Sequence, residues 1–167
     1  VHDALESSGL APHRLELELT ESMLLEDTRD LSGALERLRS AGLRFAIDDF
    51  GTGYSNLGYL KRFEVGRLKI DQSFVRRLTQ DAHDAAIVGA IVQMSRSLRL
   101  TTIAEGVEDE ATRAHLVALG CTQGQGWLWS KALPAAQFGQ LADERIDLVL
   151  LALQLAGQRA PGAAEAQ

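Results

Sequence analysis

Leu43-Arg44-Phe45-Ala46-Ile47-Asp48-Asp49-Phe50-Gly51-Thr52-Gly53-Tyr54-Ser55 is the stretch on which the fold turns. The apolar run Phe45-Ala46-Ile47 reads as a buried strand, and Gly51-Thr52-Gly53 as its exit into a flexible loop. Between them stand two adjacent carboxylates, Asp48 and Asp49. Side by side at the end of a strand, they repel each other and lose hydration. Such a pair persists when a cation or a strong hydrogen-bond network compensates. Adjacent carboxylate oxygens suit a hard divalent ion, Mg²⁺ or Mn²⁺. The plainer alternative is an Asx turn or a helix cap, since Asp close to Gly is common in turns.

The flanking sequence repeats the pattern. Leu15-Glu16-Leu17-Glu18-Leu19-Thr20-Glu21 alternates apolar and acidic residues before Ser22 opens a helical stretch. Arg67-Leu68-Lys69-Ile70-Asp71 is a short strand with Lys69 and Asp71 near its end. Leu100 to Glu108 is an apolar strand that ends in Glu105 and Gly106, and Cys121 to Trp127 is a fifth strand with Gln125 at its exit. Between these runs the apolar spacing is helical: Leu31, Leu35 and Leu38; Ile87, Ile91, Met94 and Leu98; Ala114, Val117 and Ala118. Strand and helix in alternation predict an α/β fold with a parallel sheet and crossover helices. Working residues in such folds collect at the carboxyl ends of the strands. Five strands here each bring a charged or amide group to that end, which points to a metal-assisted catalytic or ligand site.

Five ordered motifs carry a family resemblance. They are Glu18-Leu19-Thr20-Glu21-Ser22, Asp48 through Ser55, Leu68-Lys69-Ile70-Asp71, Ala104-Glu105-Gly106-Val107-Glu108, and Gln125-Gly126. Together they resemble the later motifs of the EAL domain, the bacterial cyclic di-GMP phosphodiesterase, over about residues 1–140. The resemblance implies a modified TIM barrel that hydrolyses cyclic di-GMP to linear pGpG with two Mg²⁺ or Mn²⁺ ions. It implies that Glu18 is a ligand of the first metal, Asp48 the bridging ligand and Asp49 a ligand of the second. Lys69 matches the lysine that holds the attacking water, and Glu105 a second-metal ligand or base. Glu108, Gln125 and Asp71 fall among the supporting or substrate-side residues. Glu21 matches the glutamate that ties down the loop Phe50–Asn56. Lys69 also admits a plainer role, a rim salt bridge to Asp71.

The departures shape the expectation. The name-giving Glu-Ala-Leu motif is absent, and so is the strand whose Asn completes the first metal's shell. The chain is therefore expected to form a partial TIM-type (β/α) barrel, with about five of eight parallel strands. Lacking two metal ligands, it is expected to be weakly active or inactive alone. Asn56, Glu64 and Ala132 are smaller departures that leave the chemistry untouched. Two functions of other classes stand beside the hydrolase: a non-catalytic cyclic di-GMP receptor, and an interaction or dimerisation module. The intact set Glu18, Asp48, Asp49, Lys69 and Glu105 favours the active parent, because a pure binder has no need of all five.

Composition bounds the rest. The 167 residues are 46% hydrophobic and 24% charged, as in a globular domain with a real core. A net charge of −6 argues against binding polymeric nucleic acid, which relies on Lys and Arg neutralising phosphates. A single cysteine, Cys121, excludes an internal disulfide and reads as a small core residue. No apolar stretch reaches the length of a membrane span, and a cytoplasmic location is expected. His2, His13, His83 and His115 lack ligand spacing and read as surface residues. Trp127 and Trp129 read as alternating on one strand face and packing. Residues 141–158 are expected to form a C-terminal helix on the barrel wall or at a partner, and residues 159–167 a disordered tail. An incomplete barrel exposes apolar surface, so a homodimer is expected.

Overall fold

The computed structural model of the chain describes residues 1–25, 29–53, 58, 60, 63–134 and 137, without the side chains of 25 and 29. The expected helix at 141–158, the tail at 159–167 and most of the loop after Gly53 lie outside the described residues. Residues Val1–Lys131 form one compact unit.

Five strands make a single sheet: β1 (Glu16–Thr20), β2 (Arg44–Phe50), β3 (Arg67–Ile70), β4 (Thr101–Ala104) and β5 (Gln123–Gly124). They lie in sequence order and every pair is parallel. This is the α/β architecture that the alternation predicts, a partial (β/α) barrel of five parallel strands. The helices Arg29–Ser40, Ala82–Ser97 and Glu110–Leu119 provide crossovers. Two of them start on side-chain caps. Asp81 and Asp109 cap the last two, accepting from the backbone N–H of His83 and Thr112. Gly120 ends the third in the left-handed region.

The core lies between sheet and helices, and it includes Leu19, Phe45, Ile47, Leu68, Ile70, Val88, Val92, Ala104 and Leu116. Central parallel strands are covered on both faces, so their residues read as near-continuous apolar runs. Leu68, Ile70 and Ala104 are fully buried.

β2 carries the acid pair at its end, as expected, and runs on to Phe50. Four expectations need correction. The fifth strand is only two residues long, because the chain turns at Gln125 and Gly126. Trp127 and Trp129 therefore share no strand face. Trp127 is 60% exposed beneath the Lys131 ammonium, whereas Trp129 packs on the core. On the helix Ala82–Ser97 the buried face runs through Val88, Ile91, Val92 and Ser95, leaving Ile87 and Leu98 exposed. On Glu110–Leu119, Thr112 and Leu116 are buried while Val117 faces solvent. Both helices carry small apolar residues on several sides, so more than one stripe fits the helical period.

Candidate active site

The site is built by an irregularity between β2 and β3. Ile47 pairs with Leu68 and Phe50 with Ile70, so two residues of β2, Asp48 and Asp49, face the single residue Lys69. This is a β-bulge, and bulges re-aim side chains. Neighbouring strand residues normally point to opposite faces. Here Asp49 adopts φ 54°, in the left-handed region, and the bulge lets both carboxylates turn to one place. A non-glycine residue there costs about 1–3 kcal/mol, a strain that concentrates at functional sites. Thr52 steadies the turn by donating from its hydroxyl to the Asp49 carbonyl at 2.9 Å.

Glu105 arrives from the next strand but one. Its N–H donates to the Ile70 carbonyl at 3.1 Å, which extends the ladder one residue past β4. One oxygen each of Asp48, Asp49 and Glu105 lie within 4.8 Å of one another. Glu18 joins from β1: it pairs with Ala46, so alternation puts it on the face that Asp48 shares.

Lys69 sits at the centre, with only 1% of its surface exposed. Its Nζ donates to Glu18 Oε2 at 2.8 Å, Asp48 Oδ1 at 2.8 Å and Glu105 Oε1 at 2.7 Å. Burial works against the ammonium, but hydrogen bonds to Asp48, Glu105 and Glu18 outweigh it and hold the pKa above the usual lysine range. Lys69 makes no rim bridge to Asp71. Gln125 Nε2 donates to Glu105 Oε1 at 2.7 Å, so the residue that follows β5 also reaches the cluster. Burial pushes the Glu105 carboxyl above its ordinary value, against the pull of Lys69. Asp49 is raised as well, by burial and then by the charges of Asp48 and Asp71.

Three other expected site residues make no ion pair with Lys69. Asp71 caps the short helix Gln72–Val75, accepting from the Ser73 N–H at 2.9 Å and from the Ser73 hydroxyl. Glu108 is drawn outward into an exposed ion pair with Arg76 at 3.0 Å. Glu21 is buried beside Gly53, where a Cβ would come within 3.4 Å of the Glu21 carboxylate. Neither Glu21 oxygen has a hydrogen-bond partner among the described residues, and 54–57 of the adjoining loop lie outside them.

The donor set fits a divalent cation. Three carboxylates converge, two of them with pKa values raised by burial and by like charge, which is the situation a hard cation relieves. Sequence reasoning found these residues and grouped them at the carboxyl ends of the strands. It missed the threefold pairing of Lys69, because Glu18 and Glu105 lie far from it in the chain and only the sheet order unites them.

A family model of the EAL domain matches residues 1–132. The chain is 47% identical over 137 residues to the bifunctional diguanylate cyclase/cyclic di-GMP phosphodiesterase MucR of Pseudomonas aeruginosa, which covers 82% of this chain and 20% of MucR. The solved PaMucR phosphodiesterase in complex with c-di-GMP matches with a TM-score of 0.78 at 47% identity, over 83% of this chain and 56% of that one. The Klebsiella pneumoniae BlrP1 manganese/cy-diGMP complex matches with a TM-score of 0.72 at 36% identity, over 77% of this chain and 33% of that one. The chain spans about a fifth of the length of the curated relatives it matches.

Proposed function

This chain belongs to the EAL domain family, and from that membership we propose that it is part of a metal-dependent phosphodiesterase that hydrolyses cyclic di-GMP to linear pGpG. The observation that carries the reading is the convergence of Asp48, Asp49 and Glu105 at the carboxyl ends of neighbouring strands. The relatives named above add the substrate class, through their cyclic di-GMP complexes.

Asp48, Asp49 and Glu105 would hold the divalent ions, Mg²⁺ or Mn²⁺, with Glu18 across the cluster. When bound, a pair of such ions supplies an activated hydroxide and stabilises the attacking and leaving oxygens of the phosphodiester. The chain's own groups do the rest. Asp48, paired with Lys69 and next to Asp49, would help to hold both ions. Lys69 keeps its proton and offers a compact positive charge that orients the acids and offsets phosphate charge. Glu105, with its raised pKa and its amide partner Gln125, is the carboxylate suited to accept a proton from water. Asp71 and Glu108 act at the rim, on the substrate side.

The test is conversion of cyclic di-GMP to the linear dinucleotide, followed by chromatography, in a complete barrel domain that carries this segment. Turnover should need Mg²⁺ or Mn²⁺ and vanish with chelator. Asp48→Asn should lower it by at least about a hundredfold, since it weakens both ion positions. Cleavage that ignores the chelator, or an Asp48→Asn variant of full rate, would end the proposal.

A further inference from the structure

An ammonium has three protons, and each one on Lys69 has a carboxylate acceptor of its own. The acceptors come from β1, from β2 and from the residue that follows β4. One side chain on β3 thus ties three other strand ends together. With Asp49 close by, the cluster holds more carboxylates than cations. Taking Lys69 away would leave one buried and two partly buried acids facing one another with no counter-charge, and removing one partner is the expensive way to break such a pairing. A hard divalent ion bound to oxygens of the same acids would do the same electrostatic work.

We propose that Lys69 is the resident counter-cation of this cluster: it holds the strand ends together while no divalent ion is bound, and a bound divalent ion relieves it of that role. The inference rests on the metal reading of the site and adds a structural duty to the lysine's part in hydrolysis. Its consequence is that the stabilisation Lys69 provides depends on metal, large in the metal-free chain and small in the loaded one. A lysine that merely packs well would stabilise both states equally.

The experiment is thermal melting of the full chain in chelator and in saturating Mn²⁺, for wild type, Lys69→Met and the double variant Lys69→Met with Glu18→Gln. In chelator, Lys69→Met is expected to melt about 10 °C below wild type. In Mn²⁺ the gap should shrink to less than half. The double variant carries one unpaired carboxylate fewer and should melt above Lys69→Met in chelator. An equal gap in both conditions overturns the inference, as does a Lys69→Met chain that fails to fold even with Mn²⁺, or a double variant that gains nothing. A Lys69→Met chain that folds only with Mn²⁺ supports it. If wild type itself shows neither a Mn²⁺-induced rise in melting temperature nor calorimetric Mn²⁺ binding, the metal reading falls too. If wild type binds Mn²⁺ and the gap does not change, only the counter-cation role is lost.

Discussion

At Gly126, where φ is 157°, an added Cβ would sit 2.1 Å from the Val107 carbonyl oxygen and 2.4 Å from the Val107 nitrogen. Both are backbone atoms, so no side chain can swing aside. The same segment positions the cluster: the Val107 N–H donates to the Gln125 carbonyl at 3.1 Å, and the Gln125 N–H to the Ala104 carbonyl at 2.9 Å. Gly126→Ala should therefore cost at least about 3 kcal/mol through overpacking and backbone strain. It should also loosen the Gln125–Glu105 hydrogen bond. Denaturant melts would read the first effect and turnover the second, and a variant of wild-type stability would contradict the steric argument. Individual residues of the site were legible in the sequence because their chemistry is unusual: adjacent acids, a lysine inside an apolar strand, an amide at a strand exit. Their gathering at the carboxyl ends of the strands was legible as well; the geometry of the cluster was not, because it depends on the bulge at Asp48–Asp49 and on the positive φ of Asp49, neither of which a period-two pattern contains.

Among the elements, the helix Glu110–Leu119 offers a test with a definite sign. Its cap, Asp109, accepts from the Thr112 N–H at 2.8 Å and from the Thr112 hydroxyl at 2.9 Å. The backbone bond, followed by the hydroxyl bond, holds the Asp109 carboxyl below its ordinary 3.8. A carboxylate depressed in the folded state stabilises the protein above its unfolded pKa, and that stabilisation is lost as pH falls through the folded value. Asp109→Ala should thus lower the melting temperature near neutrality, with the gap to wild type closing well below pH 3.8. A gap that stays constant into acid would mean that the cap charge contributes nothing. At this scale the order of the strands could be read directly, and so could the Leu31, Leu35 and Leu38 face of Arg29–Ser40, whereas the faces of the two later helices could not. In Ala82–Ser97 and Glu110–Leu119 small apolar residues surround the axis, and packing against the sheet, not periodicity, chooses the buried stripe.

The sheet of the whole molecule ends in two strands with one described neighbour each, β1 and β5. Unpaired strand edges are templates for association. Exposed apolar surface at ~25 cal/mol per Å² makes a few hundred Å² worth several kcal/mol, comparable to the stability of a domain. The chain on its own should therefore self-associate, and sedimentation velocity should find dimers or larger species. A monodisperse monomer across the accessible concentrations would contradict that. The parallel α/β plan was legible from strand–helix alternation alone, and the specific barrel from five ordered motifs, because strand ends in such folds carry the chemistry and keep their order in the sequence. The account's central claim is that the acids gathered by the β2 bulge form a divalent-cation site. Calorimetric titration of Mn²⁺ into wild type and Asp48→Asn tests it most directly: saturable binding in wild type that is at least about tenfold weaker in Asp48→Asn is the result predicted, and an affinity that Asp48→Asn leaves unchanged, or a wild type that binds no Mn²⁺, is the result that would contradict it.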